Sequence, residues 1–116
     1  MELKLNHIHL KTPDVEATKK FYMENYGATF KAEMAGGVQL DLHGLQVNIT
    51  IIQPHQNHAQ YYGIEHIALT TDDYPATMAK LRGNGVAVLE ELTSNGRRVA
   101  FLESPDKAQM EIIERI

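Results

Sequence analysis

Apolar and polar side chains alternate from Leu3 to Lys11, the two-residue period of a half-buried strand. The next stretch, TPDVEATKKFYMENYG, loses that period and reads as a helix. Asp14 can cap its first turn, and Gly27 can take the left-handed conformation that ends it. Three more strand-like runs follow, Ala28–Ala35, Val38–Leu42 and Leu45–Gln53, separated by GG at 36–37 and HG at 43–44 as hairpin turns. Residues 54–63, PHQNHAQYYG, are polar and irregular.

The pattern then starts again. GIEHIALTT reads as a strand, and DDYPATMAKLRGNG as a helix with Asp72 or Asp73 as cap, Pro75 in the first turn and Gly85 beyond the end. Tyr74, Met78 and Leu81 recur at helical spacing on one face. Strands are predicted at Val86–Leu92, Arg98–Glu103 and Gln109–Arg115, with SNG and SPDK between them. The order β-α-β-β-β therefore occurs twice. NHIHL at 6–10 lies over EHIAL at 65–69, DVEAT at 14–18 over DYPAT at 73–77, and Asn25 over Asn84. The chain reads as a duplication. Its first module covers about residues 1–53, its linker about 54–62 and its second module about 63–116.

Composition narrows the function classes. The 116 residues suit one domain with a real hydrophobic core. A net charge of −4 without a basic stripe argues against nucleic acid as a partner. No apolar run approaches membrane-spanning length, and MELKLNHIHL lacks the apolar core of a signal peptide. The expectation is a cytoplasmic protein with no membrane partner. The absence of cysteine removes disulfides, thiolate metal sites and thiol nucleophiles, which leaves six histidines as soft ligands.

Two of them are marked by the repeat. His7 and His66 are the same position of the two modules. On strand parity Leu5, His7 and His9 share one face, and His66, Ala68 and Thr70 share the equivalent face. Ile8, Leu10, Ile67 and Leu69 point the other way, toward the helices. In the last strand, QMEIIERI, Glu111 interrupts an apolar stretch and falls on the face opposite Met110 and Ile112. A buried carboxylate is costly unless paired or metal-bound. Two imidazoles and a carboxylate on one wall are a ligand set for a divalent cation such as Fe, Mn, Co, Ni or Zn.

NHIHL, GIEHIAL and VAFLESPDKAQMEIIE together resemble motifs of the vicinal oxygen chelate superfamily. This superfamily includes glyoxalase I, bleomycin-resistance proteins, fosfomycin-resistance enzymes, methylmalonyl-CoA epimerase and extradiol dioxygenases. The resemblance covers essentially the whole chain. It implies an α+β fold, two tandem βαβββ modules forming a curved mixed sheet around a cavity. It implies a homodimer in which metal sites are shared between chains. It also implies His7, His66 and Glu111 as metal ligands, and a small substrate chelated through vicinal oxygens in a lyase, isomerase or epimerase, or dioxygenase reaction.

Departures from the resemblance narrow it. The module-one carboxylate of glyoxalase I is replaced by Asn48, the repeat partner of Glu111, on the cavity face with Thr50 and Ile52. An amide can bind a hard cation but cannot act as a base near neutral pH. Phe101 stands where a fosfomycin thiol transferase carries a phosphonate-binding tyrosine. Ring-cleaving members are usually longer chains. Lys107 replaces the family's turn glycine, so either the turn is looser or the lysine takes positive φ. A metal-free, bleomycin-type binding protein is the alternative from a different class, and the retained His7, His66 and Glu111 speak against it. Glu111 and His9 are the candidate proton carriers, His9 having no repeat partner because Ala68 occupies its place. A role for His9 in orienting a ligand, or as a polar lining residue, is open on the same footing. Asn48, Thr50 and Phe101 are candidate cavity residues. His43, His55 and His58 are expected at the surface, and Tyr61 and Tyr62 either over the cavity or packed between modules.

Overall fold

A computed structural model describes the whole chain, Met1–Ile116. Its elements run β1 (Leu3–Lys11), α1 (Val15–Tyr26), β2 (Thr29–Met34), β3 (Gly37–Leu42), β4 (Leu45–Thr50), β5 (Gly63–Thr71), α2 (Tyr74–Gly83), β6 (Val88–Ser94), β7 (Arg97–Glu103) and β8 (Gln109–Glu114), with a short 3₁₀ turn at Pro105–Lys107. The fold is α+β, and βαβββ occurs twice. The chain divides into two compact units. One, His7–Glu65, is called the α1 unit here. The other, Met1–Asn6 with His66–Ile116, is called the α2 unit.

In the α1 unit the strands are hydrogen-bonded in the order β2-β3-β4-β1. β1 pairs with β4 in parallel, while β2–β3 and β3–β4 are antiparallel, so the sheet is mixed. Leu10, Ala28, Val38, Leu40, Val47 and Ile49 form the core, with Val15, Tyr22 and Met23 of α1 packed against it. Burying aliphatic side chains of this size contributes about 1.5–3 kcal/mol each. The even positions of β1 and the odd positions of β4 thus face the helix, as strand parity predicts. His43 and Gly44 both take positive φ, which suits a two-residue hairpin loop. Gly37 opens β3 so close to β4 that a Cβ there would overlap the Ile49 carbonyl.

The α2 unit repeats the plan. Its order is β5-β8-β7-β6, with β5 parallel to β8. Tyr74, Met78, Ala100, Leu102 and Ile112 form its core, and Leu69, Leu81, Val86 and Val88 pack around them. Tyr74, Met78 and Leu81 do share the buried face of α2, as their spacing predicts. Asn95 and Gly96 make the two-residue loop between β6 and β7, both at positive φ.

The two helices begin in the same way. Asp14 Oδ1 accepts from the Ala17 amide at 3.0 Å, and Asp73 Oδ1 from the Ala76 amide at 3.0 Å. The Asp14 amide donates to Thr12 Oγ1, and the Asp73 amide to Thr71 Oγ1, each at 3.1 Å. Thr12 and Thr18 hydroxyls lie 2.8 Å apart; those of Thr71 and Thr77 lie 2.6 Å apart. Each pair of equivalents is separated by the same offset in sequence. Asp73 is therefore the cap of α2, while Asp72 accepts from the Glu2 amide at 2.7 Å. At the turn before β8 the lysine keeps the tight conformation: Lys107 sits at φ 67°, after Asp106 at φ 62°.

Candidate functional site

Strand parity sends the helix-facing aliphatics one way and a row of polar groups the other. In the α1 unit that row is His7, His9 and Lys11 on β1 with Asn48 and Thr50 on β4, and all five are buried. The parallel register sets His9 opposite Asn48 and Lys11 opposite Thr50. The His7 and His9 rings are 5.6 Å apart and tilted by 59°. His9 Nε2 lies 2.7 Å from Thr50 Oγ1, and Thr50 donates to the Ile51 carbonyl at 2.9 Å. Asn48 Oδ1 accepts from Gln46 Nε2 at 3.0 Å.

Beyond His9 the row continues into a polar cluster that the sequence reading did not single out. Lys11 and Glu65 have no exposed side-chain surface, and Lys11 Nζ is 4.0 Å from Glu65 Oε1. Lys11 donates to Gln60 Oε1 at 2.9 Å and to Gln56 Oε1 at 3.4 Å, and the Tyr61 amide donates to Glu65 Oε2 at 2.9 Å. Ion pairs withdrawn from water stand only when such hydrogen bonds offset the desolvation of each charge. The signal was present, since Lys11 extends the face of His7 and His9 by one more step of two.

In the α2 unit the structure brings His66, Glu111 and Phe101 together. His66 Nε2 lies 3.1 Å from Glu111 Oε1, and the His66 ring meets Phe101 edge-on at 5.5 Å and 77°. His66 and Phe101 are buried, and the Glu111 side chain is 13% exposed. Register explains the meeting, because Glu111 pairs with Ala68 of β5 on one side and Phe101 of β7 on the other.

The same registers equate Asn48 with Glu111. His9 pairs with Asn48 as its repeat partner Ala68 pairs with Glu111. The donors fit a divalent cation chemically. His7, His9 and His66 are buried imidazoles able to give one nitrogen each. His66 Nε2 and Glu111 Oε1, 3.1 Å apart, are a nitrogen and an oxygen donor of the kind that Fe, Mn, Co, Ni and Zn accept. No helix is long and apolar enough to cross a membrane.

The remaining histidines lie elsewhere. His43 is exposed, and its Nε2–H donates to the Tyr26 carbonyl at 2.7 Å, closing the end of α1. His55 is exposed and His58 half-buried, so only the first sits at the surface as expected. Tyr61 and Tyr62 are exposed.

Residues 4–112 match the profile of the Glyoxalase/Bleomycin resistance protein/Dioxygenase superfamily. Among curated proteins none matches. A hypothetical protein from Bacillus halodurans C-125 superposes with a TM-score of 0.76 at 20% identity, over 100% of this chain and 96% of that one. Methylmalonyl-CoA epimerase from Mycobacterium tuberculosis gives 0.70 at 17% identity, over 97% and 87%. At these identities the likeness is one of fold. A Streptomyces coelicolor methylmalonyl-CoA epimerase variant, in complex with 2-nitronate-propionyl-CoA, gives 0.63 at 27% identity, over 96% and 93%.

Proposed function

The chain belongs to the Glyoxalase/Bleomycin resistance protein/Dioxygenase superfamily, and on that premise we propose that it is a divalent-metal-dependent enzyme acting on a small substrate chelated through vicinal oxygens. His7, His66 and Glu111 would hold the metal, one of Fe, Mn, Co, Ni or Zn. The observation that carries the reading is the His66–Glu111 pair, an imidazole and a carboxylate with donor atoms 3.1 Å apart in a largely dry place. Surface ion pairs seldom involve a buried imidazole. The bound metal would polarise the substrate's oxygens and stabilise negative charge developing beside them.

Of the reaction types open to this site, proton transfer at a carbon next to a carbonyl is the one we favour. The epimerase relative at 27% identity supports it. So does Asn48: with an amide on β4 of the α1 unit, the carboxylate able to accept a proton is the one on β8. Glu111 then takes the proton, and Phe101 and the buried His66 beside it keep water off its inner oxygen. His9 is the second candidate for this work. The homodimer and the sharing of sites between chains remain part of the same proposal.

The test is solvent exchange. Incubated in D2O with manganese or cobalt and a 2-methyl-branched malonyl thioester, the protein is expected to exchange the α-proton, and Glu111→Gln to lose that exchange. Metal-loaded protein that exchanges no α-proton, with oxygen consumed instead on a catechol, would move the reading to the dioxygenase type. Tight binding of a glycopeptide antibiotic in the presence of chelator would replace the enzyme reading with the binding one.

A further inference from the structure

Two contacts of Thr50 decide the chemistry of His9. The hydroxyl has a single proton, and its Oγ1 donates to the Ile51 carbonyl at 2.9 Å, an oxygen that can only accept. His9 Nε2 lies 2.7 Å from the same Oγ1. Both contacts are satisfied together only if Nε2 carries a hydrogen and donates it to Thr50. A neutral imidazole has one ring hydrogen, so the lone pair is then on Nδ1. The chain His9–Thr50–Ile51 has the form that supports a metal-bound histidine, in which the second ring nitrogen donates to an oxygen and fixes the tautomer.

The registers add an independent argument. In the α2 unit the paired positions are Ala68 and Glu111, and the donor stands on β8. In the α1 unit the equivalent positions are His9 and Asn48. The α1 unit has an amide on β4 where the α2 unit has a carboxylate on β8, and an imidazole on β1 where the α2 unit has Ala68 on β5. His7 and His9, two residues apart on one strand face, are both buried with ring centres 5.6 Å apart.

We propose that His9 is a metal ligand through Nδ1, acting beside His7, and that Thr50 is the positioning residue that presents it. The inference rests on the metal-site reading above, and it removes His9 from the candidates for proton transfer, leaving that role to Glu111.

The experiment uses cobalt(II) and the full chain. Protein stripped with chelator is titrated with cobalt, reading affinity and the visible d–d bands, for wild type, His9→Ala, Thr50→Val, Thr50→Ser and His66→Ala. Nitrogen-15 NMR of the metal-free protein reads the His9 tautomer directly, without activity or metal. The expected results are an Nε2-protonated His9 in wild type and altered d–d bands in His9→Ala. Thr50→Val should lose about 10–100-fold in affinity, the cost of removing a ligand's supporting partner, and His9→Ala should lose more. Thr50→Ser keeps the hydroxyl and should recover most of the affinity. Wild-type affinity and bands in His9→Ala and Thr50→Val, with His66→Ala unable to bind, would overturn the role of His9 and leave the metal site standing. An Nδ1-protonated His9 in the metal-free protein would also overturn it. A wild type that takes up no cobalt would overturn both readings.

Discussion

Thr12, Asp14, Ala17 and Thr18 make the same hydrogen bonds at the start of α1 as Thr71, Asp73, Ala76 and Thr77 make at the start of α2. The strands behind those helices do not agree in the same way. Where the α2 unit has Ala68 opposite Glu111, the α1 unit has His9 opposite Asn48. The helices differ in depth too. α2 buries Tyr74, Thr77 and Met78, whereas no residue of α1 is fully buried, and the rings of Phe21, Tyr22 and Tyr26 meet edge-on or tilted with centres 5.7–5.9 Å apart. Caps are kept because any chain that enters a helix from this strand faces the same orphan amides. The polar face of the sheet is under no such constraint, so chemistry can diverge there while the backbone stays the same.

Glu111 is the residue where that divergence should cost most. Glu111→Gln removes a proposed metal ligand as well as the proposed base, and is expected to lower proton-exchange turnover by at least about 10²–10⁴-fold, the usual worth of a positioned acid–base group alone. Asn48→Asp, its counterpart in the other unit, should lose far less. Equal losses at the two positions would erase the functional asymmetry argued here.

The next effect is on stability and compares the glycine that opens β3 with one in the loop between β6 and β7. Gly37→Ala pushes a Cβ into the Ile49 carbonyl and should cost about 3 kcal/mol or more in thermal or urea unfolding. Gly96, at φ 76° with open space around it, should cost only about 1 kcal/mol as alanine, from backbone strain. Asp14→Ala and Asp73→Ala sharpen the other half of the comparison. Each removes one cap and should lose about 1 kcal/mol. A loss at one cap alone would mean that the shared hydrogen bonds are not equally used.

The smallest expected effect is at Tyr74, which the α1 unit does not reproduce. Its hydroxyl donates to Glu91 at 2.7 Å, and its own ionisation is pushed far up by burial and by that carboxylate. Glu91 is held below the ordinary carboxylate value of 4.5 by the Tyr74 hydroxyl first and by Arg82 second. A lowered carboxyl in the folded state stabilises fully above the unfolded value and loses that contribution as pH falls through the folded one. Tyr74→Phe should therefore cost about 0.2–1 kcal/mol at neutral pH. The gap to wild type should close in melts run progressively below pH 4.5.

Much of this was legible in the sequence because alternation and caps are local. β1 and β5 run over the residues that alternation marked, and Asp14 and Gly27 bound α1 as their chemistry requires. β6 starts two residues later than its apolar run suggested. The Val86 amide is taken by the Leu81 carbonyl at the end of α2, so the first valine closes the helix before the strand begins. Parity put Glu111 on the face of His66, and their contact follows from it. Lys11 and Glu65 were missed, since a charged residue at the end of a strand looks solvated until the chain that covers it is known. Three glutamines, Gln53, Gln56 and Gln60, bond to one another's side chains or backbone there and enclose the pair. His43 lies exposed in the β3–β4 turn as expected, and only its bond to the Tyr26 carbonyl was not legible in the sequence.

The central claim is that the imidazoles and Glu111 hold a divalent metal, and elemental analysis of purified protein reads it most directly. Cells supplied with manganese, iron, cobalt, nickel and zinc should yield wild-type protein carrying close to one metal per chain. His66→Ala and Glu111→Gln, folded by circular dichroism, should carry little. Wild-type protein that emerges metal-free and takes up none of the five on titration would contradict the account.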